Sequence, residues 1–155
     1  AALIGYLVAV FPDYTRILFL LAIDCYWKLL SLVLSACIDR IECKRRLRDL
    51  LLLKDNRFCA DCRASDPKWA SANIGVFICL KCCGVHRSLG AHISKVLSVT
   101  LDEWNDDEID AMIEIGGNSS ANAIYEAFIP DGFSKPGPDA SHEQRSRFIR
   151  LEIIK

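Results

Sequence analysis

Cys59-Ala60-Asp61-Cys62 and Cys79-Leu80-Lys81-Cys82 are two Cys-x2-Cys turns with sixteen residues between them, and they decide how this 155-residue chain is read. Each turn presents two sulfurs to one centre, and four thiolates at about 2.3 Å fill a tetrahedral shell with no position left for water or substrate. The expectation is therefore one structural Zn2+ held by Cys59, Cys62, Cys79 and Cys82. In a small domain such a cross-link contributes roughly 10–16 kcal/mol to folding. Thiolates that hold metal must stay reduced, which places this part of the chain in the cytosol or nucleus rather than in a secretory compartment. Cys83 follows Cys82 directly, so a slip to the pair Cys79/Cys83 satisfies the same chemistry. The matched x2 spacing favours Cys82 and leaves Cys83 as a small buried residue. A four-cysteine site needs neither His86 nor His92.

Outward from the turns, short elements alternate. Lys44–Lys54 carries Leu47, Leu50 and Leu51 on one stripe with Arg46, Arg48 and Asp49 facing out, the pattern of an amphipathic helix. Strands are expected at Trp69–Ser71 and Val76–Ile78 around an Asn73–Gly75 turn, and a third at Lys95–Thr100. Between them Cys83–Leu89 reads as a short helix stopped by Gly90. Asn105 and Glu108 frame a capping box for a helix through Ile115, Gly116-Gly117 end it, and another helix is expected over Ser119–Phe128. Pro130–Ser141 is a loop. Ser141 and Gln144 open a last helix bearing Phe148, Ile149 and Leu151. The sum is an α+β fold: a small zinc-stabilised domain with a short three-stranded sheet surrounded by about five helices, preceded by an apolar N-terminal helical segment.

That segment is compositionally foreign to the rest. Residues 1–38 hold 29 apolar residues, and the remaining 117 residues hold 51. Ile17 to Ile38 is long enough to cross a bilayer, although Asp24 and Lys28 stand mid-span, each costing roughly 2.5–3.5 kcal/mol at the bilayer centre. Their i,i+4 spacing lets them pair. Arg40, Lys44, Arg45, Arg46 and Arg48 follow, which by the positive-inside rule would hold the zinc region on the cytosolic side. Three readings stand open: a membrane anchor, a helix packed on the domain, and sequence foreign to the functional domain. The chain opens on Ala1 rather than Met, which reads as a fragment or processed product. The division expected is an apolar segment over 1–39 and the zinc domain over 40–155.

Charge is also divided. Residues 40–100 carry 12 Lys/Arg against 5 Asp/Glu, whereas residues 101–155 carry 5 against 12. Such polarity suits a protein that meets something anionic with one face.

Five residues after Cys82 stands Arg87, completing C-x2-C-x16-C-x2-C-x4-R. Its context is Ile74-Gly75-Val76-Phe77-Ile78-Cys79-Leu80-Lys81-Cys82-Cys83-Gly84-Val85-His86-Arg87-Ser88-Leu89-Gly90. With Pro67-Lys68-Trp69-Ala70-Ser71, Ala91-His92-Ile93-Ser94, Leu101-Asp102-Glu103-Trp104 and the stretch Asn118 to Glu126, the chain closely resembles the Arf GTPase-activating domain family, from about Leu47 to Arg150. The pattern breaks at Leu151-Glu152-Ile153-Ile154-Lys155. The resemblance implies a protein that is not itself an enzyme in the strict sense. It would accelerate GTP hydrolysis on a GTP-bound Arf-family small GTPase, in the cytoplasm at the cytosolic face of membranes, in the service of vesicle trafficking. In that family the arginine at the position of Arg87 is an arginine finger, reaching in trans toward the partner's nucleotide. Charge accumulates on phosphate oxygens during phosphoryl transfer, and a forked, permanently charged guanidinium neutralises it there. The resemblance further links Trp69 to the docking surface and Asp102 to the positioning of the finger's neighbours, with core filling and capping as their architectural counterparts. Ile74 and Gly75 would approach the partner, since Gly admits close backbone contact.

Two other readings compete. GATA-type C4 zinc fingers have nearly the same cysteine spacing, and residues 40–100 are basic; but no basic recognition helix follows the second turn and the C-terminal stretch is acidic, so no nucleic acid is expected. An Arf-binding module without turnover would keep the fold and lose the activity.

Overall fold

Each short element forms where local chemistry closes it. The computed structural model describes residues 12–130 and 132–154; residues 1–11 of the apolar segment and Lys155 at the break in the family pattern lie outside them. Helix α1 spans Pro12–Leu52, so the amphipathic helix expected from Lys44 continues backward through the apolar run. No Gly or Pro interrupts the sequence between the two, and helical hydrogen bonding therefore propagates through. The chain divides into two units, Ala1–Ile41 and Glu42–Lys155.

In the first unit the described side chains from Leu21 to Ile41 are exposed, Leu30 alone being half-buried. Lys28 pairs with Asp24 at 2.6 Å, the i,i+4 pairing anticipated from the sequence. The stretch Leu21–Leu52 is, by length and composition, long and apolar enough to cross a membrane.

In the second unit β1 (Trp69–Ser71) is central in an antiparallel sheet of order β2-β1-β3, with β2 Val76–Ile78 and β3 Val96–Ser98. Trp69 sits opposite Ile78 and Ser98, Ala70 opposite Phe77 and Leu97, Ser71 opposite Val76 and Val96. The third strand is shorter than expected because Asp102 takes the Ser98 N–H at 2.7 Å and the chain turns there. The period of two then divides the core. Val76 and Ile78 join the cluster around Cys59, Cys62, Cys82, Val85, Phe148 and Ile149, whereas Phe77 and Ala70 face Cys43, Leu47, Leu50, Ile109 and Met112.

The helices are α2 (Leu80–Leu89), α3 (Asp106–Ile115), α4 (Asn118–Tyr125) and α5 (His142–Ile153), giving five α-helices among the described residues. Both expected capping boxes are present, Asn105 with Glu108 and Ser141 with Gln144, and Gly116 closes α3 in the left-handed region at φ 83°. Helix α4 begins one residue before the expected Ser119 and ends at Tyr125, the chain continuing as a 3-10 turn over Glu126–Phe128. Its first residue, Asn118, is a buried hub: its side-chain oxygen accepts the Phe77 N–H at 2.7 Å, and its amide nitrogen donates to Phe58 O at 2.7 Å and Phe77 O at 3.0 Å. Asn56 completes the link, accepting the Asn118 N–H at 2.8 Å and donating to Leu50 O at 2.9 Å.

The charge halves meet inside this unit. Arg46, expected to face solvent, bridges to Asp106 at 2.9 Å and also to Asp110, while Arg45 pairs with Glu42 and Asp49. Part of the basic excess is thus answered within the fold and is not presented to an external anion.

Candidate functional site

The two Cys-x2-Cys turns converge. The Sγ atoms of Cys59, Cys62, Cys79 and Cys82 all lie within 4.8 Å of one another. Cys62 and Cys79 sulfurs are 3.6 Å apart, against about 3.8 Å for two thiolates on one tetrahedral ion at ordinary metal–sulfur distance. None of the four is in a disulfide, Cys59, Cys62 and Cys82 are buried, and Cys79 is half-buried. The donor set fits a closed metal site. Hydrogen bonds from Cys62, Cys79 and Cys82 push the Cys59 thiol up, whereas a hydrogen bond to Cys59 pulls Cys62 down to about 6, and Cys59 and Cys82 likewise pull Cys79 down. Four thiols this close share protons because they cannot all ionise together without a cation.

The residues around the sulfurs take the places anticipated for them. Cys83 lies in the core, 1% exposed and outside the four-sulfur cluster. His86, fully buried, contacts Asp61 through Nε2 at 3.2 Å and Ser94 Oγ through Nδ1 at 2.9 Å; Ser94 in turn meets Ser71 Oγ at 2.8 Å. Asp61 belongs to the first cysteine turn, His86 to α2 and Ser71 to β1. The chain of hydrogen bonds therefore fixes the helix against both the turn and the sheet, and buried polar groups so satisfied hold one geometry. His92 is exposed.

Helix α2 starts at the second cysteine turn, with Cys79 as its N-cap residue, and stops at Gly90, whose N–H donates to Arg87 O at 3.2 Å. It buries Cys82, Cys83, Val85, His86 and Leu89 and turns Gly84, Arg87 and Ser88 to solvent. Arg87 is thus an exposed cation on a helix held at both ends. Its guanidinium lies over the Trp69 ring, 4.5 Å from the centroid, which brings these two expected residues together.

The remaining expected positions are accounted for inside the domain. Ile74 is 4% exposed in the core. Gly75 has φ +81°, and a Cβ built there would come within 2.5 Å of Ile115 Cγ1, so the close approach is to this chain's own helix α3. Asp102 acts as the staple that ends β3. Sequence reasoning missed Arg145. It is buried beside the cysteines, but in the sequence it is one more cation in a polar helix, and no spacing marks it.

Comparison with known proteins agrees with the geometry. A family profile described as "Putative GTPase activating protein for Arf" matches residues 44–154. The ADP-ribosylation factor GTPase-activating protein AGD12 of Arabidopsis thaliana is 83% identical over 107 residues, covering 69% of this chain and 32% of the relative. Stromal membrane-associated protein 1 of Mus musculus is 50% identical over 97 residues, covering 63% of the chain and 22% of that protein. The chain therefore spans about a third or less of the length of these curated relatives. Among solved structures, the ArfGap domain of HIV-1 Rev binding protein superposes with TM-score 0.66 over 77% of this chain and 89% of its own, at 24% identity, a likeness of fold.

Proposed function

The chain belongs to the family of GTPase-activating proteins for Arf, and on that premise we propose that it accelerates GTP hydrolysis by a GTP-bound Arf-type GTPase, with Arg87 entering the partner's active site as an arginine finger. The observation that carries the reading is the setting of Arg87: an exposed guanidinium on a ten-residue helix whose N-terminus is the second cysteine turn. A finger must arrive in place, since a group already oriented does not spend binding energy on being ordered. The buried Asp61–His86–Ser94 chain, one residue from Arg87, and the Trp69 ring beneath the guanidinium supply that order. At the phosphates the fork of N–H donors neutralises charge on the transferring group. In GTPases such a residue is worth roughly 10³–10⁵ in rate.

Cys59, Cys62, Cys79 and Cys82 would hold a single zinc ion, because four thiolates in a closed tetrahedral set select it. Zinc bound there supplies a cross-link between the two turns and takes no part in the reaction. Trp69, half-buried and beside Arg87, is the first candidate for contact with the partner. The thiolate chemistry also favours a reducing, cytosolic setting, and the exposed apolar stretch 21–38 would meet a bilayer from that side if it anchors the protein.

The test is GTP hydrolysis by a GTP-loaded Arf protein under single turnover, with the full chain and with Arg87→Lys. Lysine keeps the charge and loses the fork, so most of the acceleration should disappear while binding to the GTPase persists. Unchanged acceleration in Arg87→Lys would refute the finger assignment. Binding without acceleration by the wild type would identify a docking module instead.

A further inference from the structure

Arg145 is the largest fully buried side chain of the described residues, at 1% exposed, and its surroundings are unusual for a buried cation. Among the described residues no carboxylate lies within salt-bridge distance of it. Its Nε donates to Ala140 O at 3.2 Å, its Nη2 to Gly137 O at 3.2 Å and Pro138 O at 2.5 Å, and its Nη1 to Cys82 Sγ at 3.3 Å. Three carbonyls satisfy N–H donors but do not answer a full positive charge. A buried charge without a counter-charge is strongly destabilising. The anionic group at hand is the cysteine cluster.

Four thiolates around a divalent ion carry a net charge of −2, so the filled cluster is itself a buried anion in need of a cation. We propose that Arg145 is the counter-charge of the metal-filled four-cysteine cluster, and that through it metal occupancy is coupled to the docking of the segment 137–140 and helix α5. The inference rests on the reading of the cluster as a metal site. The shape of the guanidinium suits this role, since one edge faces sulfur while the other collects carbonyls from the segment leading into α5. A single side chain thereby ties the C-terminal part of the domain to the second cysteine turn. Lys81 Nζ reaches the same segment at Pro138 O, 3.3 Å away. Coupling between metal and segment is reciprocal. Whatever the metal contributes to docking the segment, the docked segment returns to the affinity for metal. Donors to ligating atoms of this kind typically account for about 10–100-fold in metal affinity.

The experiment uses the full chain loaded with zinc, with release followed by a chromophoric chelator, and in parallel the cobalt(II) form, whose sulfur-to-metal charge-transfer band reports electron density on the thiolates. Arg145→Met keeps length and apolar bulk and removes charge and donors; it should bind zinc about 10–100-fold more weakly and shift the cobalt band to lower energy. Arg145→Lys, which retains the charge, should recover part of both effects, and Arg145→Gln, which removes the charge but keeps a donor, serves if the methionine variant fails to fold. Ile149→Val loosens α5 packing without touching the guanidinium, so through the coupling it should cost a smaller part of the affinity while the cobalt band stays at the wild-type position. Wild-type affinity and an unshifted band in Arg145→Met or Arg145→Gln would overturn the inference, as would equal metal loss in Ile149→Val. A wild type that binds no zinc or cobalt would instead refute the metal reading beneath it.

Discussion

Gly84 stands in the middle of α2, one turn before Arg87, and replacing it separates the stability of the helix from the work of its exposed face. It is exposed, its φ lies outside the left-handed region, and a Cβ built there meets nothing within 4 Å. Nothing inside the domain requires glycine. A mid-helix glycine costs about 0.8–1 kcal/mol relative to alanine, so Gly84→Ala should stabilise the domain by about that amount. For a unit of this size the corresponding rise in Tm is about 3–6 °C, measured by thermal unfolding at fixed free zinc, because a change in metal occupancy would shift Tm by itself. Gly84→Glu gains similar helix propensity but places a carboxylate at i,i+3 spacing from Arg87. If Arg87 is the finger proposed above, this carboxylate would pair with it and repel the nucleotide phosphates. Acceleration of GTP hydrolysis should fall at least about tenfold, equivalent to about 1.4 kcal/mol in the barrier, with Tm at or above the wild-type value. A Gly84→Ala protein no more stable than wild type would refute the reasoning about the helix. A fully active Gly84→Glu would refute the placement of this face against the partner.

Gly75 presents the opposite case. With φ +81° and Ile115 Cγ1 2.5 Å from a built Cβ, Gly75→Ala combines backbone strain with overpacking, and about 2–5 kcal/mol of stability should be lost, read from the shift in the urea midpoint of the full chain at unchanged m-value. Metal removal should act on the whole second unit. Chelation should abolish its cooperative unfolding transition, and rebinding should release protons, visible as a buffer-dependent heat, because the proton-sharing that pushes the Cys59 thiol up must be undone before four thiolates can ligate. The sign follows: protons compete with the ion, so affinity is greatest at neutral and higher pH and falls as pH drops. An affinity independent of pH would contradict thiolate ligation.

Much of this was legible in the chain because it is chemistry of near neighbours. The x2 spacing of Cys59/Cys62 and Cys79/Cys82, the capping boxes at Asn105 and Ser141, and the glycine stop at Gly90 depend on residues within a turn of one another. Local backbone geometry therefore fixed them in advance. The apolar period likewise marked Leu47 and Leu50, whereas Arg87 was singled out only by the resemblance to the Arf GTPase-activating domain. Spacing also favoured Cys82 over Cys83, and burial of Cys83 outside the cluster agrees.

What the tertiary structure decided are the meetings of residues far apart in sequence. Arg46 read as a solvent-facing charge and pairs across the fold with Asp106 and Asp110. Arg87 and Trp69 carried separate expectations, and only the packing of α2 on the sheet brings the guanidinium to 4.5 Å from the ring. Arg145 carried none, yet burial and proximity to Cys82 make it a cation at an anionic centre. The division has one physical cause. Propensity, capping and ligand spacing act through a few bonds of chain and are written in order, whereas the partner of a charge is chosen by burial, which is a property of the folded whole.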